Sequence, residues 1–260
     1  MPRSGTTWLG QIFASSPDVR LKYCPLFSYE FKNILDENSS QEQWKNLFLA
    51  VWQTNSEFLD QEHLRKKGLI PNFEDKSEQP SHLVIKSNRF HHLVPYMLKL
   101  GMNVKFIHIV RHPCATLNSW MNNPSEFPEN ADPLKEWRTG RCRKMGIGEY
   151  WGFDDWVSIS QQAIFLNEKY PGHHQIVSYE DLVRETEKET KRLFSFVGLL
   201  YSEQTQKFIE LSHSRHDLHH HSVFKDPKQQ QSWKYSLDPA IAKACIEEIK
   251  GTDLEQFLVI

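Results

Sequence analysis

Two groups of side chains in this 260-residue chain have the types and spacing to hold an anion. The first is Arg3-Ser4-Gly5-Thr6-Thr7-Trp8, where hydroxylic residues and one glycine run straight into a helical pattern. Backbone N–H groups in the first turn of a helix lack intrahelical partners, and the helix dipole places partial positive charge there, so an oxyanion is favoured. Gly5 lets the backbone approach closely, Ser4, Thr6 and Thr7 add hydroxyls, and Arg3 adds a forked cation suited to phosphate or sulfate. Trp8 offers an aromatic face. The second group is Arg111 at the end of an apolar run, with Ser119 eight residues on and two turns into a helix begun near Pro113. Each group also fits a plainer role: a turn with its N-cap, a surface arginine, a hydroxyl bonded to its own helix. The Walker pattern Gly-x-x-x-x-Gly-Lys-Ser/Thr is absent.

For these groups to meet, the chain between them must form strands that end together. Helical periodicity runs from Thr6 through Ala14 and stops at Ser15-Ser16-Pro17-Asp18. Val19 to Phe31 is predicted to hold a short strand and a pocket-lining segment. Gln41 to about Gln61 is predicted as a helix with Trp44, Leu47, Phe48, Val51, Trp52 and Phe58 on one face. His82 to Lys86 and Val104 to Val110 read as buried strands, separated by a helix from Arg89 to Leu100 that Gly101 closes. A helix with proline at its entry follows Arg111, and residues 122–150 form a loop long enough to cover a site. A helix ending near Tyr170, a strand from His174 to Val177, and a helix from Tyr179 to Phe196 capped by Ser178 complete the pattern.

Strands alternating with crossover helices make a parallel sheet, and ligands of such sheets bind at the carboxyl ends of the strands. The expected fold class is α/β, a central parallel sheet flanked by helices, in one domain over residues 1–260. A phosphate loop of this kind ordinarily follows a buried strand, and only Met1 precedes Pro2, so the sheet is expected to lack one strand at its middle.

Formal net charge is −2, from 31 basic and 33 acidic residues, so no global field attracts nucleic acid or an anionic membrane. Nothing reaches the roughly 18 consecutive apolar residues of a membrane span. A cytoplasmic protein is expected, with the Golgi lumen as the alternative if an N-terminal anchor has been removed. Cys24, Cys114, Cys142 and Cys245 form no Cys-x-x-Cys pair, which fits a reducing compartment. His213, His216, His219, His220 and His221 make a tract with no cysteine or carboxylate cluster to complete a metal site, so no metal is expected.

Pro2-Arg3-Ser4-Gly5-Thr6-Thr7-Trp8 resembles the loop with which sulfotransferases hold the 5′-phosphosulfate of 3′-phosphoadenosine-5′-phosphosulfate (PAPS). Phe106 to Pro113 with Ser119 resembles the motif in which the same family grips the 3′-phosphate through an arginine and a serine. Lys86 matches the lysine near the transferring sulfuryl group, Tyr179 an adenine-side tyrosine, and Trp233-Lys234 a late nucleotide-loop motif, with Trp8 stacking on adenine. The resemblance spans about residues 2 to 237 and is closer to glycan and tyrosylprotein sulfotransferases than to the cytosolic aryl type, which has lysine where Arg3 stands.

It implies a P-loop-containing nucleotide-binding fold, PAPS as co-substrate without a metal, and sulfuryl transfer to a hydroxyl or nitrogen acceptor. A small molecule or saccharide is the first acceptor class, and no nucleic acid or oligomeric state is implied. The alternatives are a tyrosylprotein sulfotransferase-like enzyme and a non-catalytic nucleotide-binding module. Arg3 and Lys86 are the implied cations at the reacting group. The general base departs from the pattern: Asn88 stands where cytosolic relatives have histidine, and Cys24 before Pro25 where glycan relatives have glutamate. His91 and then His92, about one turn past Lys86, are the expected substitutes, with Glu30, Asp154 and Asp155 further off.

Overall fold

The computed structural model describes residues 1–217, 219, 222–224 and 231–259. Four strands form two parallel pairs. β1 (Val19–Tyr23) pairs with β2 (His82–Lys86), Tyr23 opposite Lys86, and β3 (Phe106–Val110) pairs with β4 (His174–Ser178), Val110 opposite Ser178. Among the described residues no strand joins the two pairs. Between β2 and β3 lies a cleft of about 680 Å3, walled by both strands and reached by Met1, Gly10, His91 and His174. Among the described residues the sheet is therefore interrupted between β2 and β3.

Helix α1 (Thr6–Ala14) packs across this interruption, touching β1 and β2, with every residue from Trp8 to Ala14 buried. Gly10 lets it close on Lys86: an added Cβ would lie 3.3 Å from the lysine Cγ. α2 (Gln41–Gln53) starts with a capping box, Ser40 receiving the N–H of Gln43 while the Gln43 side chain receives that of Ser40. It ends at Thr54, earlier than the periodicity predicts. Lys22, 1 % exposed, explains the early stop, because its ammonium binds the Thr54 carbonyl and sits 2.7 Å from Asp60. A buried cation needs such partners, and the chain turns to supply them.

Beyond α3 (Glu62–Lys66), the helix expected from Arg89 begins late. Phe90 takes a left-handed conformation and donates its N–H to Gly148, so only a short 3₁₀ turn and α4 (Val94–Lys99) form. α5 (Pro113–Met121) follows β3 with Pro113 in its first turn and the His112 ring accepting from the Cys114 N–H. The long loop contains one helical turn, α6 (Pro133–Glu136), before α7 (Phe153–Lys169).

The helix expected from Tyr179 to Phe196 is broken at Glu185 into α8 (Tyr179–Arg184) and α9 (Thr186–Val197), with Gly198 left-handed at its end. α10 (Glu203–Ser214), α11 (Trp233–Ser236) and α12 (Pro239–Ile249) follow. One core cluster joins α5, α7 and α12 around Trp120, Phe153 and Trp156; a second joins α1 to α8, α9 and α10. The four cysteines are unbridged.

Four histidines line the cleft: His82, His91, His108 and His174. Burial holds His91 and His108 well below the ordinary value of 6.5 and lowers His174 to about 4. In this window the unfolded chain takes up protons that the folded chain refuses, so stability is full above pH 6.5 and drains as pH falls toward 4. His174 alone accounts for a loss on the order of 3 kcal/mol. Urea denaturation at stepped pH should show this slope, and His174→Phe should make it shallower, with His91 and His108 supplying the remainder.

Candidate active site

Every strand delivers a candidate residue at its carboxyl end. Lys86 closes β2, Arg111 follows β3, Tyr179 follows β4, and Tyr23 and Cys24 end β1, while the loop Pro2–Gly5 enters α1 above them. Gly5 caps α1 at φ 85°, and an added Cβ there would lie 2.4 Å from the Tyr179 ring. Both the left-handed backbone and the close ring require glycine. Arg3 is also left-handed, at φ 63°, a conformation that costs a non-glycine residue energy and is held only by its surroundings.

Those surroundings are the second predicted group. Arg111 Nη1 donates to the Arg3 carbonyl at 3.1 Å, and Arg3 Nε donates to Ser119 Oγ at 3.1 Å. The Arg3 guanidinium also faces Glu126, 3.6 Å from its Oε2. Burial pulls Arg3 below its ordinary value, with Glu126 opposing and Arg111 adding to the shift. Arg111 Nε is buried without a hydrogen-bond partner. A buried donor left unmatched is a group shaped for a ligand or a water.

Lys86 is 9 % exposed, with its ammonium 4.4 Å from the centroid of the Tyr23 ring. Burial lowers it to about 8. On the other side of Gly5, the Arg111 guanidinium lies 4.7 Å from the Tyr179 ring centroid, and Trp8 meets Tyr179 edge-on at 6.2 Å. Trp8 Nε1 donates to Ser212 and its ring lies 5.8 Å from His213, so α10 fixes its orientation. Ser4 is buried; Thr6 and Thr7 are half-buried at the first turn of α1. Arg3, Ser4, Gly5, Thr6, Thr7, Trp8, Lys86, Arg111, Ser119 and Tyr179 thus converge on one region.

Other expectations part from it. Trp233 is buried and stacks on His112 at 4.6 Å, so it braces the turn after Arg111, whereas Lys234 is exposed and binds Gln231. His92 shares a hydrogen bond with the Tyr150 hydroxyl at 2.9 Å, and His91 packs between His108 and Tyr150 with its Nε2 buried and unpartnered. His91 lines the cleft between the sheet halves and is strongly disposed to stay neutral. Asp155 caps the turn at Trp151 and pairs with Lys144, Asp154 pairs with Arg138, and Glu30 is exposed. Cys24 sits against Ser87, and burial raises its thiol, which keeps it neutral. Among the described residues no group of three His, Cys, Asp or Glu is placed to hold a metal; His220 and His221 lie outside them.

Beside the convergence is a smaller cavity of about 210 Å3, lined by Pro2, Tyr23, Phe27, Asn88, Arg89, Glu126, Arg143, Glu149, Tyr150 and Trp151. The aromatic and acidic segment from Glu149 therefore divides: Glu149, Tyr150 and Trp151 face this cavity, and Phe153 and Trp156 are core. Glu126 escapes sequence reasoning because nothing in its own neighbourhood marks it; only its proximity to Arg3, 123 residues away along the chain, does.

Human carbohydrate sulfotransferase 2 is 25% identical over 170 residues, covering 54% of this chain and 32% of that protein. A putative protein-tyrosine sulfotransferase of Caenorhabditis briggsae is 24% identical over 220 residues, covering 84% and 70%. The chain thus spans about a third of the length of the first of these relatives. Among solved structures, mouse sulfotransferase SULT7A1 complexed with PAP superposes with a TM-score of 0.56 at 17% identity, covering 99% of this chain and 85% of that one, which supports the fold.

These relatives correct the cytoplasmic expectation, because carbohydrate sulfotransferases are Golgi membrane enzymes. Charge balance and unpaired cysteines do not encode a compartment, and no described helix is long and apolar enough to cross a membrane. Residues 1–203 match the model of the family described as "Sulfotransferase family", so the loop at Arg3, the Arg111–Ser119 pair and the strand ends between them are those of a chain that belongs to the sulfotransferase family.

Proposed function

We propose that this protein transfers a sulfuryl group from PAPS to a hydroxyl of a saccharide or small molecule, releasing adenosine 3′,5′-bisphosphate (PAP). The observation that carries the reading is the junction of Arg3, Arg111 and Ser119, two motifs far apart in the chain joined by two hydrogen bonds at one strand tip. The residues fit the nucleotide: Gly5 leaves the backbone bare at the helix start, and Arg111 has a buried N–H with no partner. Arg111 and Ser119 would hold the 3′-phosphate, the Ser4–Thr7 loop the 5′-phosphate, and Trp8 and Tyr179 the adenine. PAPS supplies the activated sulfuryl group when bound.

What the chain supplies is fixed positive charge. As the sulfur–oxygen bond breaks, charge gathers on the departing phosphate oxygen, and cations already aimed there lower the barrier without reorganising. Arg3 and Lys86 are suited to this because burial has removed the water that would screen them. The carbohydrate sulfotransferases among the relatives support a saccharide acceptor; the protein-tyrosine relative supports a tyrosyl peptide as the second reading.

Three outcomes follow from the assignment. Calorimetry should show PAP bound in preference to ATP, and Gly5→Ala, which forces a Cβ into Tyr179, should remove that binding. Arg3→Ala or Lys86→Ala should cut turnover by about 100-fold or more with circular dichroism unchanged. Because Lys86 sits at about 8 in the free protein, kcat/KM for PAPS should fall as pH rises past that value. Lys86→Arg should move the alkaline limb out of range.

A further inference from the structure

Three residues that line the cavity beside Arg3 each carry a buried polar atom without a hydrogen-bond partner: Asn88 Oδ1, Glu126 Oε2 and Arg143 Nε. One such atom is ordinary in any fold; three residues that each carry one and that line the same small space are a recognition pattern, since buried polar groups are otherwise nearly all paired. Two are acceptors and one is a donor. Around them stand Tyr23, Phe27, Tyr150 and Trp151, and Pro2 of the loop forms the wall toward the anion site. Arg89 and Glu149 pair with each other, so they close one side without a net charge. A volume of about 210 Å3 is below the roughly 300–1,000 Å3 of pockets for drug-sized ligands, which restricts the occupant to one ring. Aromatic walls with hydroxyl acceptors suit a polyhydroxylated ring.

Glu126 is the acceptor nearest the cations. Its backbone is held on both sides, the N–H donating to the Asn123 carbonyl at 2.9 Å and the carbonyl accepting from Trp120 Nε1 at 3.1 Å. Asn123 and Trp120 are buried, at 0 % and 1 % exposure, so the backbone that carries the carboxylate is fixed where it stands. Among the described residues its ion pair is to Arg3, at 3.6 Å, too long for a hydrogen bond, which leaves the carboxylate able to accept a proton.

We propose, resting on the PAPS reading above, that this cavity seats a single saccharide unit and that Glu126 is the general base that His91 and His92 are not placed to be. The acceptor oxygen forms a bond to sulfur while the sulfur–oxygen bond to the 5′-phosphate breaks; the hydroxyl proton passes to the Glu126 carboxylate, and the electron pair of the broken bond leaves with PAP. Asn88 accepts from a neighbouring ring hydroxyl, and Arg143 donates to a ring oxygen.

The test uses the wild type, Glu126→Gln and Arg143→Gln, with PAP binding by calorimetry and transfer of labelled sulfate from PAPS to a panel of monosaccharides, simple phenols and a tyrosyl peptide. The expected result is saccharide transfer by the wild type and a fall in kcat of about 100-fold or more in Glu126→Gln with PAP affinity held within about threefold. Arg143→Gln should raise the KM for the saccharide while leaving PAP affinity unchanged. Wild-type protein that does not bind PAP would overturn the PAPS reading and this inference together. PAP binding with full saccharide turnover in Glu126→Gln would overturn the base alone. Transfer only to the phenols or the peptide would overturn the saccharide seat.

Discussion

Arg3 is the residue on which the site's geometry depends. Its backbone sits in the left-handed region, which no side chain other than glycine's occupies without cost, and three contacts hold it there: the Arg111 guanidinium on its carbonyl, Ser119 on its Nε, and Glu126 facing its terminal nitrogen. The same contacts set the height of Gly5 and hence the start of α1. A buried guanidinium with one partner removed is strongly unfavourable, so the loop, the β3–α5 turn and the segment after α5 stand or fall as one arrangement.

This coupling explains how a chain of net charge −2 builds a basic site. Arg3, Lys86 and Arg111 come from three different parts of the sequence and meet because β2 and β3 deliver Lys86 and Arg111 at their carboxyl ends, beside the loop that carries Arg3. Their mutual repulsion and burial are visible in the lowered values of Arg3 and Lys86. An anion placed among them would relieve both, and that differential stabilisation is what binding and catalysis draw on. The interrupted sheet beneath bears on the same point: α1, packed on β1 and β2, lines the cleft between β2 and β3, and Met1 reaches into it.

The parts of this arrangement that were legible in the sequence are local ones. α1, β2 and the Pro113 helix start follow from periodicity and capping, and they carry Gly5, Lys86 and Ser119 with them. Tertiary demands decided what was misjudged. Buried Lys22 draws Thr54 out of α2, Phe90 gives its N–H to Gly148 and leaves Arg89 outside a helix, and Thr186 begins a new helix where a continuous one was expected. Trp233 followed a motif into the right neighbourhood, but its ring braces His112 while Lys234 points to solvent.

The base illustrates the limit of spacing as a guide. His91 and His92 are near Lys86 in sequence, yet the turn at Phe90 sends one into the cleft and the other onto Tyr150. Glu126 lies 40 residues past Lys86 in a loop with no period, held by Asn123 and Trp120, whose bonds to it are invisible until the loop folds. A proton acceptor has to be near a reacting oxygen, and that oxygen belongs to the acceptor rather than to the nucleotide. Sequence order records how the nucleotide site is built, because helix starts and strand ends are local. The acceptor side is assembled from β1, the turn after β2 and the loop before α7, so its chemistry is set by which unpaired atoms those segments leave facing the same space.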